Sequence, residues 1–257
     1  MVKDYVEVTE IAGDEVTTEQ IERLCHRYYW AGKFSRGNDV VEVACGSGQG
    51  LGYLLPISKS IEGADISEKI LNVAREHYQE RIQLKQFDVQ KMPYEDASKD
   101  VVLLFEAIYY IRDTEKFVKE CMRILRPNGK VLIVTANKDL YDFNPSPHSH
   151  NYYGVVELIE LFSRRGFKPN CFGYMPVERL SIKQKILRPV KKTVVSLGLM
   201  PKTMRGKKLL KRLVFGKMVK MPDEITENMI RYEDPVSLEG NCPNRSYKVI
   251  YCVAERS

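Results

Sequence analysis

The sequence predicts an α/β protein: a seven-stranded, mostly parallel sheet with an antiparallel last strand and a basic helical insertion between strands six and seven. Three observations lead there. Apolar runs of strand length alternate with segments of helical period from residue 40 to residue 172, the pattern of strands joined by crossover helices. One run, VVEVACGSG at 40–48, drives a strand into a glycine-rich turn. Seventeen residues past Gly48 the run IEGADIS delivers Asp65. A parallel sheet brings such a turn and such a carboxylate together at its carboxyl edge, where α/β proteins bind nucleosides.

Each element has a local cause. Thr17-Thr18-Glu19-Gln20 contains a capping box. It opens a helix to about Lys33, with Ile21, Leu24, Cys25 and Tyr28 on the core face. Gly37-Asn38 turns the chain into the first strand, 40–44. The helix after the glycine loop is short because Pro56 follows. A second strand spans 61–64, Ser67 caps a helix to His77, and a third strand lies near 82–85. VVLLF at 101–105 is continuously apolar, as a strand covered on both faces should be. A helix from Thr114 to Arg126 is stopped by Pro127, and Asn128-Gly129 turns into a strand at 130–135. A helix over 154–165 ends at Gly166, a common cap, before a strand at 167–172. YKVIYCVA at 247–254 closes the sheet.

This pattern divides the chain into an N-terminal lid helix (1–36), a ligand-binding core (37–172 and 246–257) and an insertion (173–245). Hydrophobic residues are 44% and charged residues 29%, the balance of a globular domain. MVKDYVEVTE lacks an apolar signal core, and no stretch reaches the length of a membrane span. The six cysteines are scattered with no C-x-x-C pair, which favours reduced thiols, a cytoplasmic setting and no metal.

The charge is uneven. Between Ser181 and Met221 stand 13 Lys or Arg and no Asp or Glu, which leaves 27 basic against 34 acidic residues elsewhere. Leu209, Leu210, Leu213, Val214 and Met218 recur there at helical spacing, so the window holds a basic amphipathic helix. The chain enters the insertion from the carboxyl edge of the sheet, so the insertion is expected to roof the site. An anionic small molecule, a diphosphate, a membrane surface or RNA would suit such charge. A solvated cap is the alternative.

VVEVACGSG, ADIS, FDVQKMPY, DVVLLFEAIYYI, RILRPNGKVLIV and YYGVVELIELFSRRGF occur in that order over about 130 residues. Together they resemble the motifs of the class I S-adenosylmethionine (SAM) dependent methyltransferases. Ala44 stands where that family often has its first glycine. The resemblance implies a Rossmann-like fold, SAM as cofactor and a set of site residues. Glu42 organises the loop and the ammonium end of the cofactor's methionine. The backbone from Ala44 through Gly46 to Gly48 passes the cofactor. Asp65 binds the ribose with Ile66 beside it, and Asp88 and Val89 meet the adenine. Phe105 and Glu106 lie beneath the methionine, and HRYYWAGKF resembles the family's lid helix, so that Tyr28, Tyr29 and Trp30 either close over the cofactor or form an aromatic core stripe.

The acceptor side is open. The family's small-molecule enzymes often carry His-His after the fourth strand, where this chain has Tyr109-Tyr110. A tyrosine of ordinary pKa orients a hydroxyl but is a poor base. The loop ANKDLYDFNPSPHSHNYY supplies His148 and His150, the natural neutral-pH bases. The chain lacks the Asn/Asp-Pro-Pro-Tyr/Phe loop of exocyclic-amine enzymes and the Pro-Cys of cytosine-C5 enzymes, which argues against nucleic acid. A finer resemblance points to methyltransferases of surface-polysaccharide synthesis, hence an O-methyltransferase for a sugar, glycan or phosphorylated intermediate. RNA methylation through the basic insertion and non-catalytic SAM binding are the alternatives.

Overall fold

The computed structural model describes residues 9–146, 148–179 and 218–257. In chain order its elements are β1 (Glu15–Val16), α1 (Thr18–Ser35), β2 (Asp39–Val43), α2 (Leu51–Leu54), β3 (Ser60–Asp65), α3 (Glu68–Tyr78), β4 (Gln83–Gln86) and β5 (Lys99–Phe105). Then follow α4 (Thr114–Ile124), β6 (Leu125–Ala136), α5 (Val155–Ser163), β7 (Phe167–Pro176), β8 (Val219–Lys220), β9 (Val236–Ser237) and β10 (Tyr247–Arg256).

The main sheet has the order β4-β3-β2-β5-β6-β10-β7-β9. β2 to β6 pair in parallel, and β10 runs antiparallel to both β6 and β7. β7 is therefore parallel to the first five strands. All seven expected strands are present. The eighth, β9, is a two-residue edge strand antiparallel to β7, inside the stretch assigned to the insertion.

β5 explains the two-layer packing. Val101, Leu103 and Phe105 face the core shared with α1, while Val102 and Leu104 face the core shared with α4 and α5. Both faces are covered, which is why alternation is absent from its sequence.

Local chemistry sets the ends. The capping box forms as read: Thr17 Oγ1 accepts from the Gln20 N–H at 3.2 Å, and Gln20 Oε1 from the Thr17 N–H at 2.9 Å. Ser67 occupies the cap position of α3, but its side chain makes no cap bond. α4 is capped by Asp113, which accepts from the Lys116 N–H at 3.1 Å. It ends at Ile124 rather than Arg126, because Leu125 already pairs with Lys99 of β5. Strand pairing, not Pro127, stops this helix.

The basic window 181–221 falls outside the described residues up to 217, and so does the amphipathic helix expected there, apart from Met218. The returning chain is a strap. β8 pairs antiparallel with β1, the Ile225 N–H donates to the Gln49 carbonyl at 2.8 Å, and Glu224 takes His77 and Arg81 at 2.8 and 3.0 Å. Tyr29 of α1 donates its hydroxyl to the Thr226 carbonyl at 2.5 Å. Trp30 is 3% exposed and packs edge-on against Tyr251, so it is a core residue and not part of a lid.

His26 fastens the strap to the sheet. Its Nε2 lies 2.8 Å from the Glu233 carbonyl and must donate, so Nδ1 accepts from the Tyr251 hydroxyl at 2.7 Å. Its ring stacks on Tyr174 at 3.4 Å. This neutral tautomer is buried, and burial lowers the imidazole to about 4, against the upward pull of the Glu233 carbonyl and Asp234. The unfolded chain therefore binds the extra proton below about pH 6.5. Stability from this group is complete above that value and is lost as the pH falls toward 4. The loss is expected to reach about 3 kcal/mol. Urea midpoints measured across that range should fall more steeply for the parent than for His26→Phe.

Candidate active site

The carboxyl ends of β2, β3 and β5, with α1 above them, enclose a cleft of about 770 Å³. The glycine loop forms its base. Ala44, Gly46 and Gly48 all have positive φ, at 56°, 60° and 78°. Ala44 thus adopts a left-handed conformation where a glycine would be unstrained. Gly48 does not line the cleft. Its carbonyl accepts from the Tyr78 hydroxyl at 2.7 Å, and a Cβ there would sit 3.0 Å from the Tyr78 ring. Its absent side chain serves packing beneath the loop.

Asp65 locks this loop to the end of β3. Its Oδ2 accepts from the Gly46 N–H at 3.0 Å and its Oδ1 from the Ser67 N–H at 2.9 Å. Burial raises the carboxyl above the usual range, while these two N–H groups pull it down. Each oxygen keeps a lone pair for a ligand hydroxyl. Ile66 and Val89 line the wall, half-buried. Asp88 is exposed at the rim and accepts from the Gln90 N–H and side-chain amide at 2.9 and 3.0 Å, so it also caps its own turn.

Glu42 is the deepest charge-bearing group here. It is 1% exposed, and its Oε1 accepts from the Tyr28 hydroxyl at 2.5 Å. Its Oε2 is buried with no hydrogen-bond partner among the described residues, and the same holds for Nε of Arg27. Burial raises the Glu42 carboxyl to about 8, against the pull of the Tyr28 hydroxyl and Arg27. A buried orphan acceptor beside a buried orphan donor fits a zwitterionic amino-acid group, which is what the methionine end of SAM presents.

Beyond it, Phe105 meets Tyr28 edge-on at 5.4 Å. Glu106 follows with φ 51°, a strained value for a non-glycine residue. Its carboxylate pairs with Arg23 of α1 and accepts from the Tyr109 hydroxyl at 3.3 Å. Burial opposes the charge on Arg23, and Glu106 more than restores it. Tyr109 is 9% exposed and stacks on Tyr152 at 4.5 Å. Burial and Glu106 hold its hydroxyl well above the ordinary value, so it is a donor and not a base.

His150 is exposed at the same cleft, with its backbone N–H on the Tyr109 carbonyl at 2.7 Å. His148 is not among the residues that line it. Arg23, Arg27, Gln49 and Arg112 line the cleft without having been singled out in the sequence. Met221, at the end of the basic window, lines it too.

Residues 41–133 match the methyltransferase domain family. The "Probable S-adenosylmethionine-dependent methyltransferase" of Mycolicibacterium smegmatis is 32% identical over 151 residues, 57% of this chain and 56% of the relative. A "Ubiquinone biosynthesis O-methyltransferase" of Coxiella burnetii is 24% identical over 141 residues, 49% of this chain and 60% of that protein. The chain spans about half the length of the curated relatives it matches. The crystal structure of the YcgJ protein from Bacillus subtilis superposes with a TM-score of 0.58 at 16% identity, covering 90% of this chain and 98% of that one. Residues 41–133 thus form a methyltransferase domain, set in the Rossmann-like fold that the chain shares with that structure. S-adenosylmethionine is the cofactor that this domain and the relatives' names support.

Proposed function

We propose that this chain transfers the methyl group of SAM to a hydroxyl of a small anionic acceptor, a sugar or phosphorylated glycan intermediate. The observation that carries the reading is the division of the cleft. One half presents acceptors for a nucleoside and an amino-acid end. The other presents Arg23, Arg112, Tyr109 and His150, none of which the resemblance assigns to the cofactor. The basic window, whose end at Met221 reaches the same cleft, favours an anion, and one matched relative is by name an O-methyltransferase.

When bound, SAM supplies an activated methyl on a sulfonium. The chain's residues mainly position the partners in line. Asp65 would hold the ribose hydroxyls with the lone pairs left over from Gly46 and Ser67. Asp88 and Val89 would meet the adenine, and Glu42 and Arg27 would take the amino-acid end. Glu106, held by Arg23 and Tyr109, shapes the acceptor side. His150 would receive the acceptor's proton as the O–C bond forms and the methyl's bond to sulfur breaks.

SAM with a labelled methyl, offered with nucleotide sugars, sugar phosphates, neutral sugars and RNA, tests this. Label should enter a phosphorylated sugar. Replacing His150 with Asn should lower turnover roughly 10²- to 10⁴-fold with cofactor affinity unchanged. Label entering RNA alone would replace the reading with RNA methylation.

A further inference from the structure

We infer that entry of the cofactor's ammonium group beside Glu42 expels a proton from that carboxyl, so that cofactor binding and proton release are one event. The inference rests on the cleft being the SAM site. Glu42 stands next to the carboxyl end of β2 and lines the cleft. Four groups face it: Tyr28 and Arg27 from α1, Asp65 from β3, and Cys45 after β2, with Tyr78 of α3 beyond. None of them forms an ion pair with it among the described residues. Among the described residues its one hydrogen bond comes from the neutral Tyr28 hydroxyl, and Oε2 has no partner.

An ionised carboxylate buried in that way is costly, and adding the proton relieves the cost. Burial and the Asp65 charge both favour the protonated form, and together they outweigh Tyr28 and Arg27. An arriving ammonium reverses the balance, because it supplies the missing positive partner at the orphan oxygen. The carboxyl ionises, its proton passes to solvent, and no other bond changes. Arg27, with its own orphan Nε, takes the carboxylate of the same amino-acid end.

The sign follows directly. The binding-competent form is the ionised one, so affinity should rise about tenfold per pH unit up to about 8 and level off there.

The test is calorimetry of the full chain with two ligands, S-adenosylhomocysteine and 5′-methylthioadenosine, which lacks the amino-acid end. Titrations at neutral pH in buffers of different ionisation heat count the protons. S-Adenosylhomocysteine should release about one proton and methylthioadenosine essentially none. Glu42→Gln, which fixes the neutral form, should abolish the release and flatten the pH dependence of affinity. The ligand comparison on the unmodified chain needs no variant to fold. S-Adenosylhomocysteine binding without proton release, equal release by both ligands, or release that persists in Glu42→Gln each overturns the linkage while leaving the cofactor site standing. Failure of both ligands to bind overturns the cofactor reading and the linkage with it.

Discussion

Asp65→Ala should weaken S-adenosylhomocysteine binding by about 100-fold or more and should also lower the stability of the chain. The carboxylate does two jobs. It is the candidate partner of the ribose hydroxyls. It also satisfies the Gly46 and Ser67 N–H groups, one at the turn of the glycine loop and one at the start of α3. Removing it leaves two donors near the cleft floor without their acceptor, each worth about 1–3 kcal/mol. Asp65→Asn should fall between parent and Ala, because its amide nitrogen must confront one of those N–H groups. Calorimetry and urea midpoints separate the two roles. Unchanged affinity in Asp65→Ala, with only stability reduced, would leave the carboxylate as a clasp for the loop and nothing more.

Gly50→Ala is expected to be equally severe for a different reason. Gly50 has φ −99°, a conformation that alanine adopts without strain. The obstacle is steric: a Cβ at this position would lie 2.1 Å from ring atoms of Tyr28. That ring cannot retreat easily, since its hydroxyl is bonded to Glu42 and its edge contact with Phe105 fixes the other side. Overpacking of this kind costs about 1–3 kcal/mol or more. It should also displace Tyr28 from the cofactor cleft. Tyr28→Ala in the same chain should recover much of the lost stability, the signature of coupled neighbours. Additive losses in the double variant would show that the two residues do not touch.

The contrast between these residues shows what the sequence discloses. Asp65 was legible because strand, turn and strand must bring its position to the glycine loop whatever else the chain does. The Thr17–Gln20 box was legible because it is local, three residues apart. Arg23 and Arg27 were not. A helix shows which face is apolar, but an arginine beside that face looks the same whether it meets solvent or a cleft. The dependence of Gly50 on Tyr28 was hidden for a related reason, since it is a distance between two elements and not a property of either. The pairing of Leu125 with Lys99 likewise ended α4 before Pro127 was reached, a tertiary contact overriding a strong local signal. His148 and His150 were equivalent as residues, and only the path of the loop, pinned by the Tyr109 carbonyl, brought one of them to the cleft.

The strap has a consequence for how the protein comes into being on the ribosome. β1 finds its partner only at β8, and His26 finds Tyr251 across 225 residues of chain. The central strands can pair as they emerge, because their neighbours are mostly near in sequence. The clasp over the glycine loop cannot, since its two halves stand far apart in the sequence. Contacts of such long range carry a heavy loop-closure cost and form late. A nascent chain lacking β8 and β10 would hold the parts of a cofactor site without the means to close it. Cofactor capture therefore waits on the strap, and a ligand added during refolding should speed the last step and not the first.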